Sequence, residues 1–404
     1  MSQLFDVVVI GAGLVGLSTA HSLLQARPGL AVAVLEKEAG VARHQSGHNS
    51  GVLHSGLYYR PGSAKATYAA RGLAAVAEFA DAHAVAHATT GKLVVATDAG
   101  QLQRLDALAE RGVANGVPLR RLDAAQARDV EPEIPAVAAL WVERTGLCDF
   151  PALADALALE VLRAGGQVLT RHPVTGLREV PGGMDVLTDG MAVRTRVLVN
   201  CAGLFSDRVA LMQPDVTEVP VRIVPFRGEY AELVAEQAER VRGLVYPVPD
   251  PALPFLGVHL TRGLDATVRV GPNAVPALAR EGYRWGRVSA RDTVASLRWP
   301  GVWRLARGMA GTGLGEISRS LSRRRFAAEV GRMLPGVRAE HLRPGGAGVR
   351  AQAVDRTGAL VEDFLVLRRG PAVHVLNAPS PGATACLPIG ADVSARALAV
   401  LDAR

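Results

Sequence analysis

The chain has 404 residues, of which 49% are hydrophobic, so length and composition exclude wholesale disorder and allow two or more domains. The formal net charge of +7 comes almost entirely from arginine, since only three residues are lysine. It favours an anionic small ligand, a nucleic acid or an anionic membrane surface without choosing among them. The three cysteines are too few and too widely spaced for a disulfide framework or a zinc site, which favours a reducing, cytoplasmic location.

The first predicted elements are a strand at 7–10, a helix at 14–25 and a strand at 31–35. The run at 7–10 is continuously apolar, which is typical of a parallel strand covered on both faces. The next group comprises helices at 63–83, 101–115 and 151–164 and strands at 92–97, 167–170 and 196–200.

A change of pattern near residue 216 predicts a second domain. Alternating polar and apolar residues there indicate antiparallel strands, and 275–335 is predicted to be helical. The end returns to a strand at 372–376, a turn at 377–384 and a C-terminal helix. We therefore predict an α/β fold with a Rossmann-like domain built from discontinuous segments and an antiparallel-sheet, α+β second domain. The predicted cofactor domain comprises 1–85, 146–215 and 340–404, and the predicted substrate domain comprises 86–145 and 216–339.

A glycine-rich turn joins the first strand to the first helix. Gly11, Gly13 and Gly16 form the pattern G-x-G-x-x-G, which suits a tight turn, a close approach of backbone to a pyrophosphate and close helix–strand packing. Glu36 ends the second strand, where a carboxylate would bind a ribose hydroxyl. The turn therefore predicts a dinucleotide site for an unphosphorylated ribose.

The segment after Glu36 indicates which dinucleotide binds. It is a polar loop, "RHQSGHNSGVLHSGLYYRPGS", and the α/β units resume only after it. An NAD-binding unit would usually continue at once with further strands, so this arrangement favours FAD, which several distant segments can hold together.

Several motifs resemble one family of flavoproteins in the same order along nearly the whole chain. They include "GAGLVGLSTA", "RHQSGHNSGVLHSGLYYRPGSAKA", "GKLVVAT", "LVNCAGLFSD", "YPVPDPALPFLGVHLTR", "GVRAQ" and "NAPSPGATACLPIG". The chain resembles FAD-dependent oxidoreductases of the D-amino-acid oxidase superfamily and, more closely, L-2-hydroxyglutarate dehydrogenases and oxidases. The resemblance implies oxidation of L-2-hydroxyglutarate to 2-oxoglutarate, with electrons passed to oxygen or to a quinone.

The resemblance also implies a set of cofactor-binding residues. Those expected to hold the ADP half are Gly11, Gly13, Gly16, Glu36 and Val174. Those expected along the diphosphate, the ribityl chain and the ring are Arg43, His44, Gln45, Ser46, Asn49, Ser50, Gly51, Cys201, Ala202 and Gly203. The turn with Ser380, Gly382, Ala383 and Thr384 would offer amides to the flavin pyrimidine oxygens, because a helix N-terminus stabilises negative charge on the reduced flavin.

A 2-hydroxy acid needs a cation for its carboxylate and a base for its hydroxyl proton. Arg350 is the first candidate for the carboxylate, with an ion pair within the fold as its alternative role. Arg60 and Arg227 are candidates for the second carboxylate of a glutarate. Tyr246 is expected to point at substrate or else to pack within its strand.

Two histidines compete for the role of base. His54 comes after the flavin-lining loop, and His259 lies on a strand expected to cover the substrate. A metal site is excluded by spacing, because His44 and His48 lack the intervening glutamate of H-E-x-x-H. Covalent flavin attachment through His44 or Cys201 stays open, and hydrolase chemistry is excluded because no G-x-S-x-G elbow is present.

The segment 298–325 combines tryptophan, aliphatic residues and arginine. It is either a peripheral contact with an anionic membrane surface on the cytoplasmic side, where a quinone could reoxidise the flavin, or a solvated helix pair.

Two other functions compete with 2-hydroxy-acid oxidation. One is an amino-acid or secondary-amine oxidase of the same superfamily, such as a glycine- or sarcosine-oxidising enzyme. The other is a flavin-binding, nucleic-acid-binding protein, which the aromatic content of 4% disfavours.

Overall fold

The computed structural model describes residues 4–250, 257–308, 320 and 322–403. The strands are β1 Leu4–Ile10, β2 Val32–Leu35, β3 Val52–Leu53, β4 His87–Thr89, β5 Lys92–Ala96, β6 Leu119–Asp123, β7 Ala138–Val142, β8 Gly146–Cys148, β9 Gln167–Leu169, β10 Val174–Val180, β11 Gly183–Thr188, β12 Met191–Asn200, β13 Val221–Leu233, β14 Leu244–Pro247, β15 His259–Arg262, β16 Val268–Gly271, β17 Val275–Pro276, β18 Leu342–Asp355, β19 Leu365–Arg369 and β20 Ala372–Asn377. The α-helices are α1 Leu14–Ala26, α2 Ala64–Ala82, α3 Leu102–Ala114, α4 Ala124–Val130, α5 Phe150–Arg163, α6 Ser206–Ala210, α7 Ala235–Ala238, α8 Ala290–Leu297, α9 Pro300–Gly308, α10 Arg323–Met333 and α11 Cys386–Asp402.

The first sheet has the order β10-β11-β12-β1-β2-β9, with β20 beside β12 and β19 beside β20. Strands β12, β1, β2 and β9 run parallel, as the continuous apolar runs predict. Helices α1, α5 and α11 cover one face, so the core of this part lies between them and the sheet. The α/β class is confirmed, and the predicted elements of the first 200 residues are all found.

The second sheet has the order β17-β13-β16-β15-β14-β5-β7-β6, with β18 beside β13. Most of its pairs are antiparallel, but β5 and β14 are parallel. Helix α10 packs its apolar side, including Phe326 and Val330, against this sheet. A small third sheet joins β3, β8 and β4.

Two sequence predictions differ in part from the structure. The segment 340–404 is predicted to belong wholly to the cofactor domain, yet β18 pairs along most of its length with β13 of the second sheet. The reason is that the partner strand β13 lies more than 100 residues earlier in the sequence, so no local pattern indicates this pairing. The helical prediction for 275–335 is confirmed for α8, α9 and α10, but it is wrong for 275–289, where β17 is followed by turns; 309–319 and 321 lie outside the described residues.

Candidate active site

A cavity of about 1320 Å³ extends from the carboxyl ends of β1 and β2 to the inner side of the second sheet. Its walls come from the glycine turn, the polar loop after β2, the end of β12, the turn before α11 and residues on β14, β15 and β18. Binding sites in open parallel sheets lie at the carboxyl ends of strands, so this position agrees with the predicted dinucleotide site. All the predicted cofactor residues except Gly16 and Gly51 line the cavity.

The glycine turn is shaped for close backbone packing. Gly11 has φ +101°, and a Cβ on it would lie 2.6 Å from the Cys201 carbonyl oxygen. A Cβ on Gly16 would lie 1.9 Å from the Gly11 carbonyl oxygen, so α1 begins directly against β1. Any larger side chain at either position would displace backbone, which explains why a glycine motif is needed here.

The acidic residue after β2 is buried beside this turn. Glu36 accepts a hydrogen bond from the Ala12 amide through Oε2 at 2.9 Å and one from the Glu38 amide through Oε1 at 2.9 Å. Each carboxylate oxygen has a second acceptor position, which suits a ribose hydroxyl. The Leu14 amide, at the start of α1, donates to Ser46 Oγ at 3.0 Å, so the polar loop reaches the helix N-terminus.

The polar loop is braced by its own side chains. Asn49 Nδ2 donates to the Gln45 and Ser46 carbonyl oxygens at 3.2 and 2.7 Å, and Asn49 Oδ1 accepts from the Gly51 amide at 2.9 Å. The Asn49 side chain therefore holds the loop in shape. The loop can then present its backbone to a flat cofactor, and these residues fit FAD.

His44 belongs to a polar cluster at one rim of the cavity. Its Nδ1 lies 3.0 Å from the Tyr283 hydroxyl and its Nε2 lies 2.9 Å from Glu38. Glu38, His44 and Glu281 have side-chain atoms close enough to share a metal ion, but Lys37 forms ion pairs with both glutamates. The Lys37 ammonium therefore takes the place that a metal ion would have between these two carboxylates.

The turn before α11 is tied to the same loop. Thr384 Oγ1 accepts a hydrogen bond from the His54 amide at 3.1 Å and donates one to the Val52 carbonyl oxygen at 3.3 Å. This contact fixes the position of the helix N-terminus relative to β3. Beside the glycine turn, burial raises the pKa of the Cys201 thiol to about 12, so little of the thiolate needed for covalent attachment is present at neutral pH.

The other end of the cavity gathers most of the predicted substrate residues. His54, His259, Tyr246, Arg350 and Arg60 all line it. The rings of Tyr246 and His259 are stacked with centroids 4.0 Å apart.

Arg227 is not among these lining residues. Its Nε donates to Glu229 at 3.0 Å, its Nη1 donates to the Gly282 carbonyl oxygen at 3.3 Å, and its guanidinium lies 4.3 Å from the Trp285 ring centroid. The structure therefore does not bring it together with the other predicted substrate residues.

Both candidate bases are neutral. Burial, together with the positive charge of Lys92, lowers the pKa of His54 to about 3. Burial lowers the pKa of His259 to about 3, against an opposing effect of the Gly257 carbonyl; the charges of Arg350 and Lys92 add smaller lowering effects. That carbonyl oxygen lies 3.1 Å from His259 Nδ1 and can only accept a hydrogen bond, so Nδ1 carries the proton and Nε2 is left as the proton acceptor.

Sequence reasoning missed three residues at this end. Tyr58 and Tyr230 line the cavity, and Lys92 lies behind it with its Nζ 4.5 Å from the Tyr58 ring centroid and 4.9 Å from that of Tyr246. The available signal was a lysine in an otherwise apolar strand, "KLVVA", but arginine supplies most of the positive charge and so provided the candidate cations.

The fold and the cavity define a flavin-dependent oxidoreductase: a dinucleotide turn, a braced loop leading to a helix N-terminus, and two neutral histidines beside an arginine. Comparison with known families agrees. The family model described as "FAD dependent oxidoreductase" matches residues 6–396, and the chain belongs to that family. FAD is its cofactor.

Curated relatives match over almost the full chain. An L-2-hydroxyglutarate dehydrogenase of Indibacter alkaliphilus is 43% identical over 98% of this chain and 99% of the relative. The proteins of the same name from Escherichia coli K12 and from human mitochondria are each 40% identical, over 98% and 95% of this chain and 94% and 87% of the relative.

Solved structures share the fold at lower identity. An L-α-glycerophosphate oxidase from Mycoplasma pneumoniae with FAD bound has a TM-score of 0.79 at 22% identity, covering 99% of this chain and 95% of that one. A glycine oxidase from Geobacillus kaustophilus has a TM-score of 0.71 at 17% identity, covering 98% and 95%. At these identities the likeness concerns the fold alone.

Proposed function

We propose that this protein oxidises L-2-hydroxyglutarate to 2-oxoglutarate. The observation that carries the proposal is the pair of neutral histidines, His54 and His259, gathered with Arg350 at one end of the cavity. A 2-hydroxy acid needs a proton acceptor and a carboxylate partner, and this end offers both. The full-length similarity to relatives named L-2-hydroxyglutarate dehydrogenase supports that substrate.

In this proposal Arg350 binds the carboxylate next to the reacting carbon. His259 Nε2 takes the hydroxyl proton, because the Gly257 carbonyl fixes its tautomer, and His54 is the alternative acceptor. Bound FAD supplies the redox chemistry by accepting the hydride from that carbon. Carboxylates of the substrate offset the positive charges of Arg350 and Lys92, which contribute to the lowered pKa of His259, so binding strengthens this base.

The roles of the cofactor-binding residues are part of the same proposal. Glu36 would hold the adenosine ribose, and the turn before α11 would direct amides at the flavin pyrimidine oxygens. Helix α11 has 17 residues, long enough to develop a positive N-terminal dipole. We also propose the division into a cofactor domain around the first sheet and a substrate domain around the second.

The amine-oxidising alternative is tested by comparing substrates. Purified holoenzyme should turn over L-2-hydroxyglutarate with an artificial electron acceptor and should form 2-oxoglutarate, identified by mass spectrometry. Glycine, sarcosine and the D-enantiomer of 2-hydroxyglutarate should give no turnover. Oxidation of an amine in place of the hydroxy acid would refute the proposed substrate.

The electron acceptor is proposed to be oxygen or a membrane quinone. A surface around α8 and α9 supports contact with an anionic membrane, since Trp303, Val288 and Leu297 are exposed among arginines such as Arg298 and Arg304. In the described part of the chain, none of the helices is both long and apolar enough to span a bilayer. Flotation with phosphatidylglycerol vesicles, absent with phosphatidylcholine vesicles, is the expected result; no flotation with either would contradict the contact.

A further inference from the structure

Lys92 is a buried lysine without a counterion among the described residues. It opens the central strand β5, it is 1% exposed, and none of the ion pairs between described residues involves it. Its Nζ lies between two aromatic rings, 4.5 Å from the Tyr58 centroid and 4.9 Å from the Tyr246 centroid. A buried unpaired charge is costly to a fold, so a residue of this kind suggests that a ligand supplies the anion.

The two tyrosines beside Lys92 have unused hydroxyls. Both hydroxyls are buried without a hydrogen-bond partner among the described residues, and both residues line the cavity. Thr261 influences the pKa of Tyr246, but their oxygens do not meet hydrogen-bond geometry. Burial raises the pKa of Tyr58 and of Tyr246, so both phenols stay protonated and can donate. Unsatisfied buried donors are rare, which again indicates a missing acceptor.

The arginines predicted for a second carboxylate are less suitable. Arg227 is paired with Glu229 through Nε, and although its Nη2 is buried without a partner among the described residues, Arg227 stands outside the cavity lining. Arg60 lines the cavity but is exposed, where an ion pair contributes little. Unlike these two arginines, Lys92 is both buried and in contact with residues that line the cavity, so it suits a carboxylate that has lost its water.

We propose that the hydroxyls of Tyr58 and Tyr246, with the Lys92 ammonium behind their rings, form the subsite for the second carboxylate of a dicarboxylic 2-hydroxy acid. Arg350 then binds the carboxylate next to the reacting carbon, and the two sites measure the length of the substrate. This inference rests on the proposed function and adds the residues that select a dicarboxylate. Lys92 acts as a positioning residue, through the tyrosines that touch the ligand.

Selectivity between matched substrates tests the subsite. L-2-hydroxypentanoate has the chain length of L-2-hydroxyglutarate with a methyl group in place of the second carboxylate. Lys92→Met in the holoenzyme should lower the ratio of kcat/KM for the dicarboxylate over the monocarboxylate by about tenfold or more, as loss of a charge-assisted interaction predicts. Lys37→Met, at the opposite rim, is the matched control and should leave the ratio unchanged. An unchanged ratio in Lys92→Met would overturn the subsite, because a general structural defect lowers both values together.

Binding of inert analogues separates this inference from the proposed function. Wild-type holoenzyme should bind glutarate more tightly than pentanoate by calorimetry, and Lys92→Met should abolish the preference. Tyr58→Phe removes one oxygen atom and should reduce the preference, which provides a second test if Lys92→Met does not fold. A preference for glutarate without oxidation of L-2-hydroxyglutarate would sustain the subsite and refute the proposed substrate. Oxidation of L-2-hydroxyglutarate, with the glutarate preference unchanged in both variants, would sustain the proposed substrate and refute the subsite.

Discussion

The histidine that takes the proton can be identified by single substitutions. His259→Gln should lower kcat about 100-fold or more, the usual range for loss of a general base, while FAD content stays at wild-type stoichiometry. His54→Gln should have the smaller effect, since the tautomer of His259 is fixed by the Gly257 carbonyl. Stopped-flow measurement of the reductive half-reaction checks this, and the opposite ranking of the two variants would assign the proton to His54.

The two histidines also determine how kcat/KM should behave below neutral pH. A pKa of about 3 in His54 and His259 means that both are deprotonated in the free enzyme throughout the neutral range. We therefore expect kcat/KM to show no acid limb between about pH 5 and 7, because kcat/KM reports the free enzyme. An acid limb near the ordinary histidine pKa would contradict this description of the site.

Lys92 determines how kcat/KM should change with pH above neutrality. Burial lowers its pKa to about 7, and the ionisable groups around it are His54, His259, Tyr58 and Tyr246. Above that pH the free lysine loses its charge, so kcat/KM for L-2-hydroxyglutarate should fall with rising pH and level off near the value of Lys92→Met. Lys92→Met should have a flat profile over the same range, and a wild-type profile that stays flat to pH 9 would count against the role of Lys92.

At this scale the sequence predicted the local features of the site. Gly11, Gly13 and Glu36 are predictable candidates because they are close in the sequence, and the structure places all three on the cavity wall. The position of Arg227 outside the cavity lining was not predictable, because its contacts with Gly282 and Trp285 come from a distant segment. Lys92 was missed for a similar reason: only the parallel pairing of β5 with β14 brings it beside Tyr246.

At the scale of elements, α1 and α11 pack closely enough to require a small residue at their contact. A Cβ on Gly390 would lie 2.5 Å from the Ser18 carbonyl carbon. Alanine normally stabilises a helix relative to glycine by about 0.5–1 kcal/mol, but forced overpacking costs about 1–3 kcal/mol, so the clash decides the sign.

Gly390→Ala should therefore lower the free energy of unfolding and the Tm measured by calorimetry. Gly286→Ala is the control, because no atom lies within 4 Å of its Cβ position, and its Tm should change little. A Gly390→Ala variant as stable as wild type would show that the two helices tolerate a wider separation.

The elements themselves were largely predictable, but their partners were not. Periodicity and turn residues gave α2, α3 and α5 within a residue or two of their observed bounds. The pairing of β18 with β13 joins segments more than 100 residues apart, and no local pattern indicates which sheet a strand will join.

At the scale of the whole molecule, the cavity walls come from separate parts of the chain. Residues near 11, 46, 174, 202 and 382 all line it, so a bound dinucleotide connects segments that the sequence keeps apart. A ligand that binds only the folded state stabilises it by mass action, by about 2.7 kcal/mol at 100 times its Kd. FAD added to the apoprotein should therefore raise the Tm, and Glu36→Gln should require more FAD for the same increase. An identical Tm with and without FAD would contradict this role of the cavity.

The proposed function requires L-2-hydroxyglutarate to reduce the flavin that is bound in this cavity. The most direct measurement is the visible spectrum of the purified holoenzyme after anaerobic mixing with L-2-hydroxyglutarate. We expect the oxidised flavin band to bleach with one equivalent of substrate and 2-oxoglutarate to form in equal amount. A spectrum that does not change with L-2-hydroxyglutarate but bleaches with an amine or another hydroxy acid would contradict the claim.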